Sequence, residues 1–193
     1  SLKGAEKAAC YNQGMALANG RWLVFTETSA CFGKMALEKA LAHCRQTVSV
    51  STMTACRPNE QVTETETNIQ IIALRAVLVD SGKEKRYGLC RENTSGAFDV
   101  RYDTAALPCT LGSLLIHSQV AQKLHFREEV PLEFESLYLL DLFREVPFLY
   151  YEANARYTYT VPGMECTESC HKALEKEWYL SSLENVWLPL IRE

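Results

Sequence analysis

Long apolar runs are missing from this chain. None approaches the roughly 18–20 residues that a helix needs to cross a bilayer, and the longest candidate, Val146 to Tyr151, is cut by Pro147. A membrane span within the chain is excluded. Glycine is scarce, 9 in 193 residues, with no two closer than six positions. That spacing rules out the Walker loop and the dinucleotide fingerprint, which cluster glycines so that backbone can approach phosphate. Positive charge is in deficit: 20 Lys and Arg face 24 Asp and Glu, a net of −4. A general nucleic-acid binder needs a basic surface and is excluded. Histidines number only 4. There is no His-Glu-x-x-His spacing, no Cys-x2-Cys knuckle and no Gly-x-Ser-x-Gly elbow, so no metal site is assigned. Six prolines are scattered, and no linker or internal repeat is visible.

What remains is an ordinary globular composition, 47% hydrophobic and 23% charged. A chain of this length buries about 70% of its unfolded surface, enough to fold on its own core. Residues 1–193 read as a single α+β domain with a helical C-terminal portion from about residue 164. Residues 1–20 hold no continuous apolar leader segment and read as an amphipathic helix, so the chain is taken as a mature form or a part of a longer protein.

Cysteine is the exception to this scarcity. The eight are Cys10, Cys31, Cys44, Cys56, Cys90, Cys109, Cys166 and Cys170. An even set in a chain of this size points to disulfides and an oxidising compartment, hence to a secreted, periplasmic or lumenal protein. Connectivity does not follow from spacing, but Cys44 at the end of a helix and Cys56 on the strand after it are one expected pair. Asn93-Thr94-Ser95 is a glycosylation sequon and marks Asn93 as a candidate glycoprotein site.

Periodicity supplies the elements. Lys3–Ala18 reads as a helix stopped by Asn19-Gly20, and Arg21–Thr26 as a strand. Gly33–Gln46 is the clearest helix, with Met35, Leu37, Ala40, Leu41 and Cys44 as its inward stripe. Thr47–Ala55 and Val62–Asn68 read as strands. Ile69–Val79 is apolar on both faces and belongs in the centre of a sheet. Ser81-Gly82-Lys83-Glu84 turns it into a strand at Lys85–Cys90, and Phe98–Tyr102 is another. Leu111–Leu124 and Pro131–Glu145 read as helices. Phe148–Glu152 and Arg156–Val161 read as an aromatic hairpin around Ala153-Asn154-Ala155. The expected fold is therefore α+β: an antiparallel sheet of roughly five to seven strands packed with four to five helices, stabilised by disulfides.

Three constellations bear on function. Cys166-Thr-Glu-Ser-Cys170-His171 resembles the c-type haem attachment motif in its Cys-x3-Cys-His form. The resemblance covers six residues and implies thioethers from Cys166 and Cys170 and iron ligation by His171. Cys31, ahead of a helix, is a candidate nucleophile with a remote His117 or His125. Tyr150, Tyr151, Tyr157 and Tyr159 crowd one stretch behind an acidic segment containing Glu133 and Glu135. Acidity is skewed that way: residues 1–97 carry 12 basic and 9 acidic side chains, residues 98–193 carry 8 and 15. Aromatic anchors with a charged rim are what a protein interface uses. The first reading is thus a non-catalytic extracytoplasmic binding domain with a protein partner and no cofactor, a subunit of a larger assembly. A haem c electron carrier and a cysteine enzyme are the alternatives.

Overall fold

A computed structural model of the chain describes residues 4–44, 47–52, 63–80, 82–86, 94–100, 110–130 and 134–160. Four α-helices are found there: α1 (Gly4–Leu17), α2 (Ala36–Leu41), α3 (Ser118–Ala121) and α4 (Phe134–Glu145). The strands are β1 (Trp22–Val24), β2 (Ala30–Phe32), β3 (Thr47–Thr52), β4 (Thr63–Asn68), β5 (Ile71–Asp80), β6 (Lys83–Arg86), β7 (Gly96–Asp99), β8 (Leu114–His117) and β9 (Phe148–Thr160). Seven of them form one sheet, ordered β1-β8-β5-β9-β2, with β6 also on β5 and β7 also on β9. β3 and β4 make a separate antiparallel pair.

Two long strands organise the sheet. The 10-residue β5 and the 13-residue β9 lie side by side and parallel. Each carries short antiparallel neighbours on its outer edge: β8 and β6 on β5, β7 and β2 on β9. The sheet is therefore mixed, not antiparallel as expected. A parallel pair needs a long crossover, and the chain between β5 and β9 supplies one that includes α3 and α4.

The double apolar character of β5 has its physical answer in two cores. Ile71 and Ala73 join Leu114, Ile116, Leu149 and Tyr151 on one face, under Ala8 and Met15 of α1 and Phe134, Tyr138 and Leu142 of α4. Ile72, Leu74 and Ala76 join Leu115, Ala155 and Tyr157 on the other, under Ala36 and Ala40 of α2. Alternation along a pleated strand delivers side chains to both.

Four expectations need correction. Disulfide stabilisation is overturned where it can be seen: Cys10, Cys31 and Cys44 are free thiols, the first two exposed and the third half-buried. The Cys44 to Cys56 pairing goes with it. Cys56, Cys90, Cys109, Cys166 and Cys170 lie outside the described residues, as do His171, Asn93, Glu133 and the C-terminal helical portion.

The aromatic hairpin does not form. Ala153-Asn154-Ala155 is no turn but a bulge inside the continuous β9. Leu74 pairs with Glu152 and Arg75 with Arg156, so three β9 residues face no β5 partner. The bulge also switches which face the odd-numbered side chains occupy: Tyr151 and Ala153 belong to the α1/α4 core, Ala155 and Tyr157 to the α2 core. A shift of pairing moves side chains to the opposite face.

The helix expected over Leu111–Leu124 is a 3-10 turn (Leu111–Ser113), then β8, then α3. Leu114, Leu115 and Ile116 are all buried between neighbours on both faces, and a short apolar run satisfies a strand as well as a helix. Thr110 still caps, accepting from the Gly112 N–H at 3.3 Å.

α2 is shorter than Gly33–Gln46 because Gly33 is held by the sheet, its N–H donating to the Arg156 carbonyl at 2.8 Å. The inward stripe also differs. Ala36 and Ala40 are buried, while Met35, Leu37 and Leu41 are exposed. A closely packed short helix meets a sheet through small residues.

Candidate functional site: an aromatic and acidic cleft

An open cleft of about 180 Å³ is formed by side chains from five parts of the chain. Tyr11 comes from α1, Phe25 and Glu27 from the segment after β1, and Thr110 to Gly112 from the 3-10 turn. Glu135 comes from the first turn of α4, and Tyr157 and Tyr159 from the end of β9. Acidic residues suit that first turn, where the helix presents unpaired N–H groups.

Aromatic packing fixes the wall. The Tyr11 ring lies 5.2 Å from Phe25, 5.1 Å from Phe126 and 6.0 Å from Phe134, distances typical of favourable tilted pairs. Tyr157 is 2% exposed and packs on Phe32 at 5.4 Å. Its hydroxyl is bonded to the Thr26 side chain, and burial, reinforced by the Glu27 charge, pushes the phenol up to about 12. The hydroxyl also fills the space over Gly112. A Cβ there would overlap it and stand 2.8 Å from the ring Cζ. Only a glycine lets the turn close on this tyrosine.

Lys7 of α1 holds the two carboxylates. Its Nζ donates to Glu27 Oε1, and to Glu135 Oε1 at 2.8 Å. It also lies 5.5 Å and 5.7 Å from the Tyr11 and Phe134 ring centres, within reach of a cation–π interaction. Burial opposes its charge, but the bonds to Glu135 and Glu27 outweigh that, and the lysine pKa stands above its ordinary range. Lys7, Glu27 and Glu135 together carry one net negative charge. Their side chains remain about a third exposed, at 29%, 36% and 34%, so each pair contributes about 1 kcal/mol or less to stability. Their value is in placement.

A second cluster sits at the β9 bulge. Glu152 is 4% exposed. It accepts from Ser95 Oγ at 3.1 Å and from the Asn154 N–H at 2.8 Å, and its other oxygen meets His43 Nε2 at 2.8 Å. Burial pushes the carboxyl upward. The Asn154 backbone, Ser95 and the Asn154 side chain, with His43, overcome that and hold it below the usual carboxylate range. Tyr150 stacks on His43 at 4.4 Å. In a nucleophilic triad the imidazole lies between hydroxyl and carboxylate. Here the carboxylate lies between Ser95 and His43, an arrangement that ties α2 to the sheet.

The expected site residues divide accordingly. Glu135, Tyr157 and Tyr159 come together at the cleft. Tyr150 belongs to the bulge cluster, and Tyr151, 1% exposed, to the core. Cys31 is in β2, not at a helix start, and β9 and β5 separate its strand from the strand of His117. His117 instead caps α3, accepting from Gln119 N–H at 3.4 Å. His125 lies with Asn12 and Gln122 around a different hollow. Tyr11, Glu27 and Lys7 carry no local sequence signal, and only the fold unites them with Glu135. Among the described residues no group of three or more His, Cys, Asp or Glu could hold a metal, and no helix is long and apolar enough to cross a membrane. No family model and no curated protein matches this chain.

Proposed function

We propose that this chain is a non-catalytic binding module that meets a protein partner at the cleft of Tyr11, Glu27, Glu135, Tyr157 and Tyr159. The observation that carries this reading is the convergence of three tyrosines and two carboxylates from four separate segments on one open hollow. Tyrosine covers much area with few rotatable bonds, which favours it at recognition surfaces. The carboxylates supply approach and specificity. Both already serve as acceptors for Lys7, an arrangement that suits recognition better than acid–base turnover. The size agrees, because about 180 Å³ is below the roughly 300–1,000 Å³ that encloses a drug-sized ligand. One protruding side chain of a larger partner fits such a space.

The test uses the partner recovered from the source by crosslinking. Tyr159→Ala and Glu135→Lys should each weaken its binding by tenfold or more, while Glu38→Lys on exposed α2 should leave binding unchanged. Loss through Glu38→Lys alone would move the interface to α2 and end this reading.

A further inference from the structure

Resting on that reading, we infer that the cleft is an ammonium site and that the group it receives is a lysine side chain of the protein partner. The structure already contains the recognition chemistry in internal form. Lys7 places one ammonium against Glu27 and Glu135 and beside the Tyr11 ring. It does so from α1, using Oε1 of each carboxylate. The cleft is walled by the same two carboxylates and the same ring, joined by Tyr157 and Tyr159. A carboxylate offers two oxygens and about four acceptor positions, so one ammonium does not exhaust it. The charge count also favours a cation: after Lys7 is counted, one net negative charge remains at the cleft wall. Aromatic faces attract a cation and exclude water around it, and a lysine stem packs along rings while its head meets oxygen.

An anionic or purely apolar guest finds no counterpart here. The two carboxylates, about a third exposed, would repel the first and be left poorly solvated by the second. Ammonium is favoured over guanidinium because the internal example is a lysine, a point charge served by two separate oxygens. A guanidinium prefers both oxygens of one carboxylate in a planar fork.

The experiment is an NMR titration of the whole chain with Nα-acetyl-lysine methylamide, its Nε-acetylated form and the arginine equivalent. The lysine compound should shift the Gly112, Glu135 and Tyr159 amides with a millimolar Kd, about what a single side chain supplies. Nε-acetylation should abolish the shifts. Glu27→Gln and Glu135→Gln should each weaken binding by about fivefold, about 1 kcal/mol at a partly exposed site. Equal binding of the acetylated compound, tighter binding of the arginine compound, or shifts confined to residues outside the cleft would overturn the inference. If those results came with loss of partner binding in Tyr159→Ala, the binding-module reading would survive and only the lysine assignment would fall. Partner binding untouched by any cleft variant would remove both.

Discussion

The His43 imidazole and the Glu152 carboxylate meet at 2.8 Å and join the end of α2 to the bulge of β9. Glu152 is one of few buried charged groups among the described residues, and every contact on it favours ionisation against the cost of burial. Its folded pKa lies below its unfolded one, near 4.3. The stabilisation is therefore present above that unfolded value and lost as pH falls through the lower folded one. Glu152→Gln should reduce stability at pH 7 by about 1–3 kcal/mol and flatten the acid limb of the stability profile. Urea melts of both proteins between pH 2 and 7 measure it. An unchanged acid limb would show that the carboxylate is not the group responsible.

Leu74 tests the two-faced sheet. It lies in β5 against the α2 core and is 2% exposed. Leu74→Asp should cost more than about 4 kcal/mol, because a charge would be buried without a partner. Leu37, 38% exposed on α2, should accept aspartate at a cost within about 0.5 kcal/mol. Circular dichroism and urea melts of the two variants decide it, and similar losses would contradict the assignment of inward and outward faces.

How much of this was legible in the sequence depends on the kind of signal. The placement of Ile69–Val79 at the centre of a sheet follows from apolar residues on both faces, Ile71, Ala73, Val77 and Val79 on one and Ile72, Leu74, Ala76 and Leu78 on the other. The ends of that logic are visible at Ala153-Asn154-Ala155. Small and polar residues between two aromatic strands read as a turn, and nothing local distinguishes a turn from a bulge. Pairing with β5, distant in sequence, decides the matter. The same holds for Leu111–Leu124, whose short apolar run becomes a strand because β1 and β5 flank it. At the cleft, Glu135, Tyr157 and Tyr159 stood out as members of dense stretches. Tyr11, Glu27 and Lys7 are isolated in the chain, so their role exists only in three dimensions. The cysteine count, by contrast, pointed to disulfides that Cys10, Cys31 and Cys44 do not form.

Those thiols give a direct chemical check. Cys10 and Cys31 are exposed and Cys44 is half-buried, with burial raising the Cys44 pKa. The thiolate is the reactive form. Native protein treated with limiting iodoacetamide at pH 8 should label Cys10 and Cys31 well before Cys44, as peptide mass spectrometry reads. Protection of Cys10 and Cys31 that vanishes on reduction would restore the disulfides.

Met35 tests backbone strain. It precedes α2 with φ of 63°, a left-handed conformation, and its side chain is 52% exposed. A side chain in that region costs about 1–2 kcal/mol. Met35→Gly removes this strain but adds unfolded-state freedom worth about 0.4–1 kcal/mol. The net result should be a gain of about 0.5 kcal/mol, measured by urea denaturation with the m-value unchanged. A loss would mean that Met35 makes contacts outweighing its strain.

The last test concerns Gly112 and Tyr157, on which the shape of the cleft depends. Adding a methyl group at Gly112 forces the Tyr157 hydroxyl away, because the two cannot occupy the same space. The ring is held by Phe32 and the α2 core, so it cannot swing aside without disturbing both. Burial pushes the phenol up to about 12, above the ordinary value near 10. An acid whose pKa is raised by folding contributes stability fully present below its unfolded pKa and lost as pH rises toward the folded one. The native chain should therefore lose stability between pH 10 and 12. Gly112→Ala should expose the phenol, lower its titration toward 10 and shrink that loss, as ultraviolet titration of the tyrosinate band against a Tyr157→Phe reference reports. The same variant should also weaken partner binding, since it alters two walls of the cleft at once. A Gly112→Ala protein with the wild-type titration and wild-type partner affinity would show that neither residue shapes the recognition site.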